Sequence, residues 1–429
     1  MNFFLISLGC PKNLTDSEDF CANLMAHGHK LVFDLQEAEG IIINTCGFLA
    51  SSVKEAKDNI KAALKLKKKG QIKKLIVTGC MVDRLKGEVK TEFPDIDLVL
   101  SISEQPKIDK LINRKGEYIK PIQDKMVPSP YKMTLTAPHS AYLKIADGCN
   151  NRCAYCAIPY IRGKYRSKTV EDIIAEARIM ARAGVKEFSV IAQDTTSYGQ
   201  DLYGKPQLEK LLKKMVKIKN LERIRIMYAY PHRVTKELAE IMAGEDKIYP
   251  YIDIPLQHIS DNMLKAMRRH CGASKTKEVL AMLRETVPDI AIRTNFIVGF
   301  PGETEKDFEE LKDFVSDFKF DNVGVFEFFR EPGTPAYEMK GQIPARVKKE
   351  RAAALESVQS RVVDEINKKL VGVEIEVISD SATFGRTYKD APDIDGRAEF
   401  TAPVEAGKIF KAKVISAEGY KRVVEPIIK

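Results

Sequence analysis

The chain has 429 residues, 44% apolar and 30% charged, with 69 basic and 60 acidic residues for a net charge of +9. This fits two or three ordinary globular domains, and the mild positive bias permits a nucleic-acid or ribosomal partner without demanding one. No apolar run approaches the ~20 residues of a membrane span, no signal peptide is visible, and eight cysteines do not make a disulfide scaffold, so the expectation is a soluble cytoplasmic protein whose cysteines serve metal or catalysis.

In chain order, strands are predicted at 3–8, 40–45, 73–79 and 97–100, with helices at 16–27 and 50–69 between them. That alternation predicts a parallel, doubly wound sheet. A proline-rich stretch at 127–140 reads as a linker. A second alternation follows, with strands predicted at 141–146, 186–192, 223–228, 251–256, 291–299 and 322–329. Six such units make a partial barrel, shorter than the eight-unit form. After a polar helix at about 344–369, only short β segments remain, which predicts a small antiparallel barrel. The expected domains are 1–126, 135–365 and 366–429.

The run GCNNRCAYC places Cys149, Cys153 and Cys156 directly after the first strand of the second alternation. Three thiolates with no fourth from the same loop suit a four-iron cluster with one iron open to a small molecule. The alternative is a zinc site completed by a distant fourth ligand. Gly148 gives freedom for a tight loop. Tyr155 is placed to cover a cluster or contact an adenine ring.

Cys10, Cys46 and Cys80 each closely follow an apolar strand in the first alternation. Parallel strands bring their carboxyl ends to one edge, so these three are expected to meet and hold a second cluster; the alternative is three buried cysteines that only pack. Cys21, in a helical pattern, and Cys271, before a glycine, read as non-ligands.

GCNNRCAYC resembles the CxxxCxxC signature of radical S-adenosylmethionine (SAM) enzymes. With the second cysteine set, the whole chain resembles the methylthiotransferases. The resemblance implies an α/β fold: an N-terminal flavodoxin-like parallel sheet (the methylthiotransferase domain), a central six-unit partial barrel (the radical SAM core) and a C-terminal TRAM-like barrel. It implies two 4Fe-4S clusters. Cys149, Cys153 and Cys156 would hold the one that binds and cleaves SAM, and Cys10, Cys46 and Cys80 an auxiliary one that carries the sulfur. It also implies an external electron donor and a sulfur source. The segments SLGCPKNLTDSE, AIPYIRGKYRS, AQDTTSYG, YAYPHR and DIPLQHISD resemble the branch that modifies the β-carbon of an aspartate in protein twelve of the small ribosomal subunit. Thr169 departs from the family's usual proline. The alternative branch acts on isopentenyl-adenosine beside a tRNA anticodon. Between Val371 and Lys429 there are ten acidic and nine basic residues, which weighs against tRNA.

Further expected cofactor contacts are Gln193 and Asp194 after the second strand of the central unit, Gln257 after the fourth, and Gly299 and Glu303 in VGFPGE after the fifth. His258 contacts SAM or substrate, or only caps its loop. Arg162, Lys164 and Arg166 steer an anionic substrate, or are merely solvated.

Overall fold

In the computed structural model, which describes residues 1–427, two parallel sheets and one closed barrel follow one another along the chain. The first sheet contains β1 (Asn2–Ser7), β2 (Lys30–Val32), β3 (Gly40–Thr45), β4 (Lys74–Gly79), β5 (Leu98–Leu100) and β6 (Gly116–Tyr118). Their order is β2-β1-β3-β4-β5-β6, all parallel. This flavodoxin-like order reverses direction between β1 and β3, where such sheets bind ligands at the strands' carboxyl ends. β3 is buried throughout, so it reads as a continuous apolar run, as strands covered on both faces do. β2 and β6 escape sequence reading because they are three-residue strands, partly exposed, one of them carrying Lys30 and the other Glu117.

The first helix, Pro11–Ala26, begins five residues before the predicted 16–27. Its opening turns bury Lys12, Asn13, Thr15, Asp16, Ser17 and Glu18, so no apolar periodicity marks them. Pro11 at its first position starts it instead, since a helix leaves that N–H unused anyway.

The central sheet contains β7 (Ser140–Lys144), then, after a small ribbon of β8 (Ala146–Asp147) and β9 (Arg166–Ser167), β10 (Glu187–Ile191), β11 (Arg223–Ile226), β12 (Ile248–Asp253), β13 (Ala291–Val298) and β14 (Asn322–Glu327). Among the described residues it has six parallel strands in the order β14-β13-β12-β11-β10-β7, and its two edges do not pair. The predicted strand 251–256 lies at 248–253. The apolar core of this unit lies between the sheet and its surrounding helices, from Leu143 through Phe188 and Ile252 to Leu355.

After the helix Ala345–Lys368 come β15 (Glu374–Ser379), β16 (Phe384–Thr387), β17 (Arg397–Phe400), β18 (Ile409–Glu418) and β19 (Lys421–Ile427), closed in the order β15-β16-β17-β19-β18. The barrel is not wholly antiparallel, as β17 and β19 run parallel. It docks on the central sheet through buried charges. Arg386 pairs with Glu187 at 2.7 Å, Lys389 with Asp321 at 2.6 Å, and Asp395 accepts from Tyr251 at 2.7 Å and from Arg293 at 3.1 Å. Among the described residues, no helix is long and apolar enough to cross a membrane.

Candidate functional site

The register of the first sheet places three strand ends side by side. Ser7 on β1 pairs with Asn44 on β3, and Thr45 on β3 pairs with Gly79 on β4. Cys46 and Cys80 are the next residues along β3 and β4, and Cys10 lies three past the end of β1. Gly9 sits at φ +93°, and a Cβ there would lie 2.8 Å from the Cβ of Cys46. The backbone before Cys10 therefore presses on Cys46 in a way no other residue allows. Cys10 caps the helix Pro11–Ala26 and Cys80 opens the helix Cys80–Leu85.

The second cysteine loop is pinched at its neck by the β8–β9 ribbon, which pairs Asp147 with Arg166. Gly148 takes φ +77°, and a Cβ there would lie 2.1 Å from the Lys164 carbonyl oxygen. Cys149 N–H donates to Gly163 at 3.1 Å, and Cys156 N–H to the Cys153 carbonyl at 3.1 Å. The middle of the loop is tied down by Ala154, which donates to Met267 and accepts from Ala336. Arg269 approaches the Cys153 sulfur at 3.6 Å and the Tyr230 hydroxyl lies 3.9 Å from it. Arg269 also stacks 4.0 Å over the Tyr230 ring.

Arg162 joins the two sets. It is 1% exposed. Its Nε lies 3.3 Å from the Cys80 sulfur, Nη1 forks onto both oxygens of Asp147 at 3.2 and 3.0 Å, and Nη2 reaches Asp16 at 2.8 Å. Burial alone would raise the Asp147 carboxyl, but Arg162, with Lys144 and Arg166, holds it below the usual range. Burial pushes the Cys80 thiol up to about 12 against the pull of Arg162, and the Cys149 thiol up to about 11. Such thiols keep their protons until a metal displaces them.

All six cysteines are free thiols. Among the described residues, no three His, Cys, Asp or Glu side chains are drawn together as a single metal ion would need. A cubane spaces its thiolates farther apart than one ion does. The donors present, three thiols per set with arginine against one sulfur of each, fit an anionic iron–sulfur cluster.

The other expected residues divide. Gln193 donates to Asp147 at 2.7 Å while its Oε1 is buried without a partner, so it retains an acceptor to offer. Tyr155 lies half-buried against Met263, Met267, Phe300 and Phe328. Gln257 holds φ +75° at the carboxyl side of β12, with its N–H on the Asn295 carbonyl at 2.8 Å. Gly299 holds φ +70° at the end of β13.

Asp194 and Glu303 are turned inward instead. Asp194 accepts from Asn151 and Arg233, both at 2.8 Å, and from Thr196 and Ser197. Glu303 accepts from Gly299 N–H at 2.7 Å and Arg351 at 2.6 Å, and faces His258 Nε2 at 3.2 Å. Both carboxylates thus hold neighbouring loop residues in place. His258 is fully buried, and its Nδ1 accepts from Ser260 N–H, so it caps the loop. Arg162 and Arg166 are buried, not steering groups, because Asp147, Asp16 and the Gln123 carbonyl take their donors; Lys164 is exposed. Cys21 and Cys271 are buried, with Cys21 inside an apolar cluster.

Sequence reading missed Arg269, Tyr230, Arg233 and Lys12. YAYPHR marks Tyr230 and Arg233, but nothing local marks Arg269 or Lys12. Lys12 is 7% exposed, with its Nζ 2.8 Å from the centre of the Tyr228 ring. Burial pushes its ammonium down to about 8, against the pull of Cys10 and Asp253.

Family models match three stretches of the chain: the Radical SAM superfamily at residues 143–315, Uncharacterized protein family UPF0004 at 2–101, and the TRAM domain at 369–427. The chain is 51% identical over 421 residues to the ribosomal protein uS12 methylthiotransferase RimO of Elusimicrobium minutum, covering 98% of each. It is 42% identical to the protein of that name from Clostridium botulinum, covering 97% of this chain and 96% of that one. Among solved structures it resembles the radical SAM methyltransferase TsrM of Kitasatospora setae, with TM-score 0.60 at 12% identity, covering 86% of this chain and 90% of that one. At that identity the likeness is one of fold.

Proposed function

The chain belongs to the uS12 methylthiotransferase (RimO) family of radical SAM enzymes, and from that membership we propose that it inserts a methylthio group at the β-carbon of an aspartate in ribosomal protein uS12. Membership brings SAM and a 4Fe-4S cluster. Cys149, Cys153 and Cys156 hold that cluster. Cys10, Cys46 and Cys80 hold a second one. When bound, the first cluster with SAM supplies radical and methyl chemistry, and the second supplies the sulfur.

This chain's residues do the rest. The Gly148 neck and the ties on Ala154 fix the first loop. Gln193 offers an acceptor and Tyr155 a ring to SAM. Arg269 faces the Cys153 sulfur as Arg162 faces that of Cys80, each a cation beside an anionic cluster. The three expected units, 1–126, 135–365 and 366–429, divide the work into sulfur carriage, radical generation and substrate docking. An electron donor and a sulfur source come from outside.

The observation that carries this reading is Arg162, one guanidinium touching both the Cys80 sulfur and the Asp147 carboxylate at the neck of the other loop. It ties Cys80 to the neck of the loop that carries the other three cysteines. The barrel's charges agree with a protein substrate. On β18, Lys411 faces Glu376, and Lys413 lies between Glu374 and Glu425 on the flanking strands. Acidic residues beside these lysines lower the positive charge that a phosphate-binding face needs.

The test is anaerobic reconstitution with SAM, reductant, a sulfur source and uS12. A methylthio adduct on aspartate is expected by mass spectrometry. An adduct on tRNA and none on uS12 overturns the reading.

A further inference from the structure

Lys12 is a largely buried side chain whose ammonium, not fully enclosed, meets no anion. It is 7% exposed. Among the described residues, no carboxylate or carbonyl lies within bonding distance of its Nζ, whose one close neighbour is the face of Tyr228. The charged groups around it are Cys10, Asp253, Arg162 and Asp147. Each carboxylate is already taken: Asp253 by Arg293 at 3.0 Å and by Tyr228 N–H at 3.2 Å, Asp147 by Arg162 and Gln193. A buried ammonium left unpaired is costly, and a cation–π contact returns only part of that cost.

The surroundings are built rather than accidental. Tyr228 holds φ +60°, a conformation rare for an aromatic residue. Asp253 fixes its N–H from β12, and its carbonyl accepts from Thr195 at 3.1 Å. Leu14, one turn beyond Cys10, and Tyr228 both pack against the central-unit cluster that contains Tyr142 and Met227. The first helix thereby sets the ammonium where the two cysteine-bearing units meet, two residues from Cys10.

We propose that Lys12 receives the side-chain carboxylate of the substrate aspartate. This rests on the functional reading above. The β-carbon to be modified is bonded to that carboxylate carbon. A cation two residues past Cys10 therefore holds the reacting carbon at the edge of the Cys10, Cys46 and Cys80 set. A neutral isopentenyl group would leave the ammonium unpaired, so the same residue discriminates against the tRNA substrate. Lysine suits the task as a compact point charge on a flexible stem.

The experiment measures binding of a uS12 loop peptide, and of the same peptide with asparagine in place of the aspartate, to anaerobic holoenzyme and to Lys12→Met and Lys12→Gln. Wild type should prefer the aspartate peptide by on the order of thirtyfold, the loss typical of truncating one partner of a buried charge pair. Both variants should bring the two peptides to near-equal affinity with iron content unchanged. Wild type that modifies uS12 while a variant keeps the full preference overturns the inference alone, as does a variant that changes only the signature of the second cluster. Wild type that neither binds nor modifies the aspartate peptide overturns the functional reading and the inference with it.

Discussion

The Nε of Arg162 lies 3.3 Å from the Sγ of Cys80, a residue 82 positions earlier in the chain. The same side chain bonds Asp147 and Asp16, so one guanidinium satisfies two buried carboxylates and faces a sulfur. Nearly all its donors are used, and no residue with fewer donors replaces it.

Replacing Arg162 by methionine removes its charged hydrogen bonds to Asp16 and Asp147, which keep only Lys144 and Arg166 as cationic partners. Loss of about 2–3 kcal/mol of stability is expected, read from denaturant unfolding of the variant beside wild type. Arg162→Lys should recover less than half of it, because one ammonium cannot fork across these partners. A loss under ~1 kcal/mol would mean the network is not coupling the two units.

The two cysteine sets should separate functionally. Cys149→Ala is expected to abolish release of 5′-deoxyadenosine under reducing conditions. Cys80→Ala should retain that release, form no methylthio product, and bind about half the iron. Equal loss of SAM cleavage in both variants would contradict the division of roles.

Gly148 and Gly28 both hold positive φ, +77° and +83°. A Cβ at Gly148 meets the Lys164 carbonyl oxygen at 2.1 Å, whereas at Gly28 nothing lies within 4 Å. Gly28→Ala should cost only the conformational strain, about 1–2 kcal/mol. Gly148→Ala must also push the Lys164 backbone aside, so it should cost more in thermal melting and lower the iron bound.

Burial pushes the Glu18 carboxyl up to about 7, although Leu135 N–H donates to it at 2.7 Å. A raised carboxyl binds its proton more tightly in the folded chain than in the unfolded one. Its contribution is full below about 4.5 and is lost as pH rises to about 7, a fall of about 3 kcal/mol at most. Glu18→Gln should flatten urea-unfolding stability between pH 5 and 7.5 relative to wild type. A parallel slope in the two proteins would show Glu18 already ionised in the fold.

The central β strands and both cysteine sets were legible because their signals are local. An apolar run such as Gly40–Thr45 declares a buried strand, and CxxxCxxC declares a loop with three thiols. The first turns of the helix Pro11–Ala26 were not legible, since polar residues buried at an interface carry no periodicity. Nor were the inward turns of Asp194 and Glu303. A carboxylate after a strand looks alike in sequence whether it faces a ligand or Arg351.

Sequence alone thus marked the six cysteines as candidate ligands, since ligand chemistry and strand ends are written in short segments. Only the tertiary structure decided how those residues act together. Arg162 against Cys80, Lys12 over Tyr228 and Asp395 beneath Arg293 join residues tens to hundreds of positions apart. Charges buried together are set by which elements pack, and packing is a property of the whole fold.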